Sequence, residues 1–158
     1  ESISKLPHAP DLSQSQSIFL EVSRNRNCLD AGIPEHWCAC IPFKVLPANQ
    51  QIIQTVSQKV IMEINLFLES KNLTHICEDL SLKSIKRAEQ KIEESASILT
   101  TYRIKFLANK GRFQSTIVYN EVDNSVKVVL DDISRLDSYD KYAKCVQIKE
   151  VKKFCFCK

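Results

Sequence analysis

Seven cysteines and only two glycines in 158 residues constrain this chain more than any other feature. Cys28, Cys38 and Cys40 lie near the start, Cys77 stands alone, and Cys145, Cys155 and Cys157 crowd the end. In a small chain that distribution reads as a disulfide framework, which forms and persists in oxidising compartments. All seven are therefore candidate bridge residues, and the expected location is secreted and extracellular. An odd number leaves one thiol free, capped or joined to another chain, so a disulfide-linked homodimer is also an expectation. The one sequon, Asn72-Leu-Thr74, points the same way and makes Asn72 the candidate glycosylation site.

The bulk numbers describe an ordinary globular chain, 44% hydrophobic and 26% charged, of a length that suits one domain. Net charge is +3, with Lys and Arg interleaved among Asp and Glu, which argues against a nucleic-acid partner. The longest apolar run, Val60 to Leu68, is broken by Glu63 and Asn65, so no membrane span is expected. The chain opens at Glu1 without a signal-like segment and reads as a mature product whose targeting segment has been removed.

Residues 1–17, rich in Ser, Pro and Gln, read as a flexible arm; residues 18–158 read as a single disulfide-stapled domain. From Ile18 to Pro47 no period is sustained, and a loop-rich, bridge-held segment is expected. Pro47-Ala-Asn49 then signals a helix start, with Asn49 as its candidate cap. Ile52, Ile53, Val56, Val60, Ile61, Ile64, Phe67 and Leu68 follow at helical spacing, predicting one amphipathic helix that ends near Lys71-Asn72. Its β-branched residues require a packing partner.

Ile98 to Leu107 and Phe113 to Tyr119 alternate as the arms of a hairpin turned at Gly111. Val126 to Leu130 predicts a short strand and Tyr142 to Ile148 another. Leu80 to Ile92 fits strand or helix, and strand is preferred because a lone helix needs at least four antiparallel strands to cover its stripe. The expected fold class is α+β: one long amphipathic helix packed on a four- to five-stranded antiparallel sheet, cystatin-like, behind a disulfide-rich N-terminal segment.

The stretch Cys28-Leu-Asp-Ala-Gly-Ile-Pro-Glu-His-Trp-Cys-Ala-Cys40 invites chemistry, but its pattern argues for a staple. Cys38-x-Cys40 is tighter than the spacing usual in structural zinc sites, and it is not the Cys-x-x-Cys of redox helices. His36 is expected to satisfy a loop carbonyl and Trp37 to pack on the bridges. Cys40-Ile-Pro-Phe-Lys44 is similar to the signature whose cysteine becomes formylglycine in sulfatases, yet Lys44 replaces Arg and the Asp, Asn and His array that chemistry needs is missing. No Gly-x-Ser-x-Gly, His-Glu-x-x-His or Gly-rich phosphate loop occurs. Asp131-Asp132 and Glu93-Glu94 are adjacent carboxylates, which point to opposite faces of a strand and make no acid/base pair. No catalytic residue, metal or cofactor is expected. The cystatin-like order raises protease inhibition as an alternative, but Arg87 to Glu94 lacks the Gln-x-Val-x-Gly of inhibitory cystatins.

Three ordered blocks carry a more specific likeness. "SRNRNCLDAGIPEHWCAC" (Ser23 to Cys40), "ISRLDSYDKYAKCV" (Ile133 to Val146) and "KKFCFCK" (Lys152 to Lys158) resemble blocks of a family of invertebrate secreted or membrane-tethered, sulfatase-like proteins of the alkaline phosphatase superfamily with no assigned activity. In that family the blocks form the cysteine-rich region after the catalytic domain. The resemblance therefore implies a C-terminal domain standing alone, with no family catalytic residue to carry over. It also implies a pairing of Cys38 and Cys40 with Cys155 and Cys157, leaving Cys28, Cys77 and Cys145 to supply one bridge and one spare thiol.

The functional expectation is a secreted, non-catalytic binding domain of signal, toxin or effector type that recognises an extracellular protein, receptor or surface ligand. Tyr139, Tyr142, Phe154 and Phe156 are its candidate partner-binding residues. The alternatives are an accessory domain of a sulfatase-like phospho- or sulfo-hydrolase and a cystatin-like protease inhibitor.

Overall fold

The structure is a computed structural model that describes residues 19, 21–34, 37–92 and 97–158. The expected arm 1–17, His36 and the pair Glu93-Glu94 lie outside the described residues. The chain divides into two compact units, residues 1–41 and residues 42–158.

In the first unit the described residues run through turns. Asn27 and Asp30 cap each other, Asn27 N–H donating to the Asp30 carboxylate at 3.2 Å and Asp30 N–H to Asn27 Oδ1 at 3.0 Å. Ile33 N–H returns to Cys28 O at 2.8 Å, with Gly32 supplying the left-handed φ of 65° this reversal needs. The Cys28–Cys38 disulfide closes the loop. Trp37 is 62% exposed rather than buried against that bridge.

The second unit is built on a five-stranded antiparallel sheet in the order β1-β2-β3-β4-β5. Its strands are β1 (Phe43–Leu46), β2 (Leu82–Lys91), β3 (Leu99–Ala108), β4 (Gly111–Asn120) and β5 (Val126–Arg135), and α1 (Gln51–Ser70) connects β1 to β2. Among the described residues only the four-residue turn α2 (Lys149–Lys152) adds further helix.

This corrects the expected class on several counts. The sheet, with four strands of ten residues, is the dominant element, and the single helix of twenty residues is short beside it. One strand precedes the helix instead of all following it. The N-terminal segment is not disulfide-rich, because it holds one bridge while the other two lie in the second unit. No strand forms over Tyr142 to Ile148, where Tyr142 N–H and Ala143 N–H fold back to Tyr139 O at 2.9 and 3.0 Å. β5 outruns the expected Val126 to Leu130 because a register irregularity between Ser115 and Ile117 of β4 admits Asp131 and Asp132 without ending the pairing.

The helix ends where its last carbonyls are capped from outside. Asn72 N–H donates to Glu69 O at 2.7 Å and Leu73 N–H to Leu68 O at 3.0 Å, the paired bonds of a Schellman motif. The motif requires a left-handed residue, and Asn72 takes φ 57°. Asn49 does not cap the other end; Gln50 stands there, without a side-chain bond.

Ile53, Val56, Val60, Ile61, Ile64 and Leu68 of α1 share one core with Tyr102, Ile104, Phe106, Phe113, Ile117 and Ile133. A fully buried aliphatic contributes about 2 kcal/mol, while a β-branched residue in a helix costs only about 0.5 kcal/mol relative to Ala. Burial therefore decides the helical state. Asn65 adds direction: its side chain donates to Leu80 O at 3.0 Å and accepts from Leu80 N–H at 2.8 Å, fixing where the chain enters β2. At the β3–β4 corner Asn109, not Gly111, takes the left-handed position, φ 48°.

Candidate interaction face

The two faces of the sheet are chemically unlike. On the helix-bearing face, Ala88, Ile104, Phe113 and Ile133 are buried, as are Phe106 and Ile117. Because side chains alternate along a strand and directly paired residues share a face, the register assigns the opposite set. Arg87 pairs with Lys105 and Glu89 with Arg103. Leu107 pairs with Arg112, Lys105 with Gln114, and Arg103 with Thr116. Phe43 and Val45 of β1 face Lys91 and Glu89, and Lys127 of β5 faces Val118.

The registered positions of this helix-free face thus carry Arg87, Lys91, Arg103, Lys105, Arg112 and Lys127 together with Glu89. Its centre is buried, with Thr101, Thr116 and Glu89 5%, 8% and 9% exposed, while Arg87, Arg112 and Lys127 are exposed. Asp131 and Asp132 lie in the β5 irregularity and act on Lys153, whose ammonium donates to Leu130 O at 2.9 Å and Ile133 O at 3.1 Å. Arg87 and Glu89 form an ion pair on this face, 2.7 Å apart. The Arg103 guanidinium stacks over Phe43, 4.0 Å from the ring centroid. Lys105, Arg112 and Lys127 form no side-chain ion pair or hydrogen bond among the described residues.

The expected partner-binding aromatics do something else. Phe154 and Phe156 are 1% and 3% exposed, and Tyr139 and Tyr142 are half-buried against the same core. Phe154 stacks on Phe113 at 6.5 Å and meets Phe67 edge-on at 5.9 Å. These rings enclose Arg135, whose side chain is fully buried. Its guanidinium lies 4.3 Å from the Phe156 centroid and within 6 Å of the Phe113, Tyr139 and Tyr142 rings. Asp137 at 3.4 Å and Lys153 O at 3.3 Å are its polar partners, and burial depresses its pKa against the opposing pull of Asp137. The box packs a cation into the fold, burying Phe154 and Phe156 and leaving Tyr139 and Tyr142 partly exposed.

The bridges also differ from those the resemblance implied. Cys28 joins Cys38, Cys77 joins Cys155 and Cys145 joins Cys157, leaving Cys40 free and exposed. Cys38 and Cys40 therefore do not reach Cys155 and Cys157, and the spare thiol is not among Cys28, Cys77 and Cys145. The end of the chain instead pairs as a short antiparallel bridge, Cys77 with Cys157, held by Glu78 N–H to Phe156 O at 2.7 Å and Lys158 N–H to Ile76 O at 3.0 Å. The sulfurs of Cys28, Cys38 and Cys40 lie within 4.8 Å of one another, as do those of Cys145, Cys155 and Cys157. Metal-like spacing is thus occupied by bridges in both places.

Asn72 and Thr74 of the sequon are exposed. A recess of about 800 Å³ beside α1, lined by Thr55, Lys59, Met62, Asn65, Asn124 and Val126, holds no reactive pair, since its one cation is engaged with Glu63 at 3.1 Å. No described helix is long and apolar enough to cross a membrane.

Sequence reasoning missed the cationic face because its members are scattered, two or more residues apart, over four strands. The signal was present in Arg103-x-Lys105 and in Arg87, Arg112 and Lys127, but only the register brings them together.

What fold and site define is a disulfide-bridged antiparallel sheet with a single helix on one face and cations on the other. The chain belongs to a family described as a protein of unknown function (DUF229), whose model matches residues 2–86, more than half of its length. That match is consistent with the sulfatase-like likeness, although the blocks Ile133 to Val146 and Lys152 to Lys158 lie beyond it. No curated protein and no solved structure matches the chain.

Proposed function

We propose that this chain is a secreted, non-catalytic binding domain that recognises an extracellular protein or surface ligand through the helix-free face of its sheet. One observation carries the reading: Lys105, Arg112 and Lys127 on the helix-free face form no side-chain ion pair or hydrogen bond among the described residues, while the bridged cysteines and the Arg135 ring cluster are committed to structure. Six of the seven cysteines are in disulfides, and the three bridges support an oxidising compartment. Oligomeric state follows the free Cys40, which could join two copies.

The test is binding of fluorescently labelled protein to cultured animal cells. Saturable binding, displaced by unlabelled protein and weakened by Lys105→Glu with Arg112→Glu, is the expected result. Binding that neither saturates nor responds to those reversals overturns the reading.

A second reading is favoured by the family match. As a C-terminal cysteine-rich domain of a sulfatase-like protein, the chain would serve a hydrolase as an accessory. The coding sequence upstream of Glu1 decides between them: a signal peptide directly before it favours the first, a long catalytic domain the second.

A further inference from the structure

We infer that the four cysteines of the second unit form a thiol-triggered disulfide switch. It exchanges the pairing Cys77–Cys155 with Cys145–Cys157 for Cys77–Cys157 with Cys145–Cys155. Both sets of alternative partners already stand side by side. Cys77 and Cys157 face each other in the antiparallel bridge, whose hydrogen bonds, Glu78 N–H to Phe156 O and Lys158 N–H to Ile76 O, flank the pair instead of joining it. A pair of that kind has its Cα atoms about 4.5 Å apart, inside the span that a disulfide bridges. Cys145 Sγ lies 3.8 Å from Cys155 Sγ and 3.8 Å from Ile76 O, beside Cys77. Bringing the two sulfurs to bond length takes a shift of about 1.8 Å. Rotation about the Cα–Cβ bond of Cys145 supplies it, because Cys145 is exposed while Ala143 and Val146 anchor its turn in the core.

Chain entropy gives neither pairing a clear advantage. The present bridges close loops of 78 and 12 residues. Cys155 and Cys157 are two positions apart, so the exchange lengthens the long loop by two residues and shortens the short one by two. Closure entropy follows the logarithm of loop length and hardly changes. Exposure decides where the exchange begins. Cys77 and Cys155 are 1% and 0% exposed, beyond the reach of a dissolved thiol, whereas Cys145 is exposed and Cys157 partly so.

The co-reactant is a low-molecular-weight thiol. Its thiolate attacks Cys157 Sγ, forming a mixed disulfide and releasing the Cys145 thiolate. That thiolate attacks Cys155 Sγ, forms the Cys145–Cys155 bond and releases the Cys77 thiolate. Cys77 then attacks Cys157 Sγ across the bridge, forms Cys77–Cys157 and expels the thiolate that began the sequence. Two disulfides are present before and after, no electrons are transferred overall, and the thiol returns unchanged. Attack at Cys145 instead frees Cys157 to attack Cys77, with Cys155 closing on Cys145, and the same two bonds result. The change reaches the surface at the turn around Cys145, where Tyr142 tilts over Phe156 at 5.8 Å.

The experiment uses the full chain with Cys40→Ser, which removes the one free thiol, and reduced glutathione as the probe. Samples taken over time are quenched in acid, digested without reduction and fragmented between Phe156 and Cys157 in a mass spectrometer, which tells the two pairings apart. The expected result is a second pairing that glutathione brings to within about tenfold of the first. Its rate of appearance should grow about tenfold per pH unit below the thiol pKa of about 8.5. Adding Cys145→Ser leaves Cys77 to choose, and mapping should find it bridged to Cys155 in one fraction of molecules and to Cys157 in another. Circular dichroism confirms that both variants are folded. Cys77 joined to Cys155 alone in both experiments overturns the inference. So does exchange that draws in Cys28 and Cys38 to the same extent, since that marks scrambling through an unfolded chain.

Discussion

The Arg135 guanidinium lies 4.3 Å above the Phe156 ring, and both lean on Gly111. A Cβ at Gly111 would stand 2.7 Å from the Phe156 Cζ atom and 3.0 Å from the guanidinium carbon. Gly111 is therefore required by packing, at the start of β4, and not by the turn before it.

Gly111→Ala consequently overpacks a filled site, since Phe156 and Arg135 are both buried and cannot swing away. The expected loss is about 2 kcal/mol, read as a lowered urea midpoint with an unchanged slope. An unaltered midpoint would mean that the Arg135 box yields to a methyl group.

The Cys77–Cys155 bridge spans 78 residues, the widest separation of the three. Restricting so long a loop in the unfolded chain contributes about 4 kcal/mol, against about 3 kcal/mol for the Cys145–Cys157 loop of 12 residues. Replacing Cys77 and Cys155 together by Ser should lower the melting temperature more than replacing Cys145 and Cys157. Chemical denaturation of the two variants ranks them, and the reverse order would contradict the connectivity.

Cys40 should be the sole cysteine alkylated in the native, unreduced protein. Its sulfur lies within 4.8 Å of both members of the Cys28–Cys38 bridge, so its thiolate can attack that bridge, form a new S–S bond and release a different thiolate. Incubation at pH 8.5 before alkylation should then spread the label to Cys28 or Cys38, as peptide mapping would show. Label confined to Cys40 at every pH would exclude the exchange.

The Asp123 carboxylate accepts from Ser125 N–H at 2.8 Å at the turn into β5. The Ser125 side chain and then its backbone N–H hold the Asp123 pKa below the ordinary 3.8. A depressed carboxylate pKa gives stability that is present above the unfolded-state value and lost as pH falls through the folded one. NMR titration should place the Asp123 midpoint below that of free Asp, and Asp123→Asn should remove that acid dependence.

Asn72 serves both the Schellman turn and the sequon. Asn72→Gly should keep stability although it removes the sequon, whereas Asn72→Ala should cost about 1 kcal/mol because Ala resists positive φ. Thermal melts of the two variants test the pair, and equal melting temperatures would contradict the capping role.

Local patterns were legible where one physical rule acted alone. The stripe from Ile53 to Leu68 announced a helix, and Thr100 to Phe106 announced a strand, because burial of one face sets the period. β1 escaped notice because Phe43 to Leu46 is four residues long and sits among Cys and Pro; its partner Lys91 is distant in sequence. Tyr142 to Ile148 alternates without pairing, since its spacing serves the Arg135 box and the Cys145–Cys157 bridge. The aromatics near the end read as a surface only because nothing in the sequence places Arg135 among them. The cationic face was illegible for the same reason: it exists only after register is set.

The most direct test of the helix-free face as the binding surface is the cell-binding assay repeated with single charge reversals at Arg87, Lys105, Arg112 and Lys127, and with reversals at Lys144 and Lys149 near the chain end. The account predicts that the sheet reversals weaken saturable binding while those at Lys144 and Lys149 leave it unchanged. Losses confined to Lys144 and Lys149, with the sheet face silent, would contradict it.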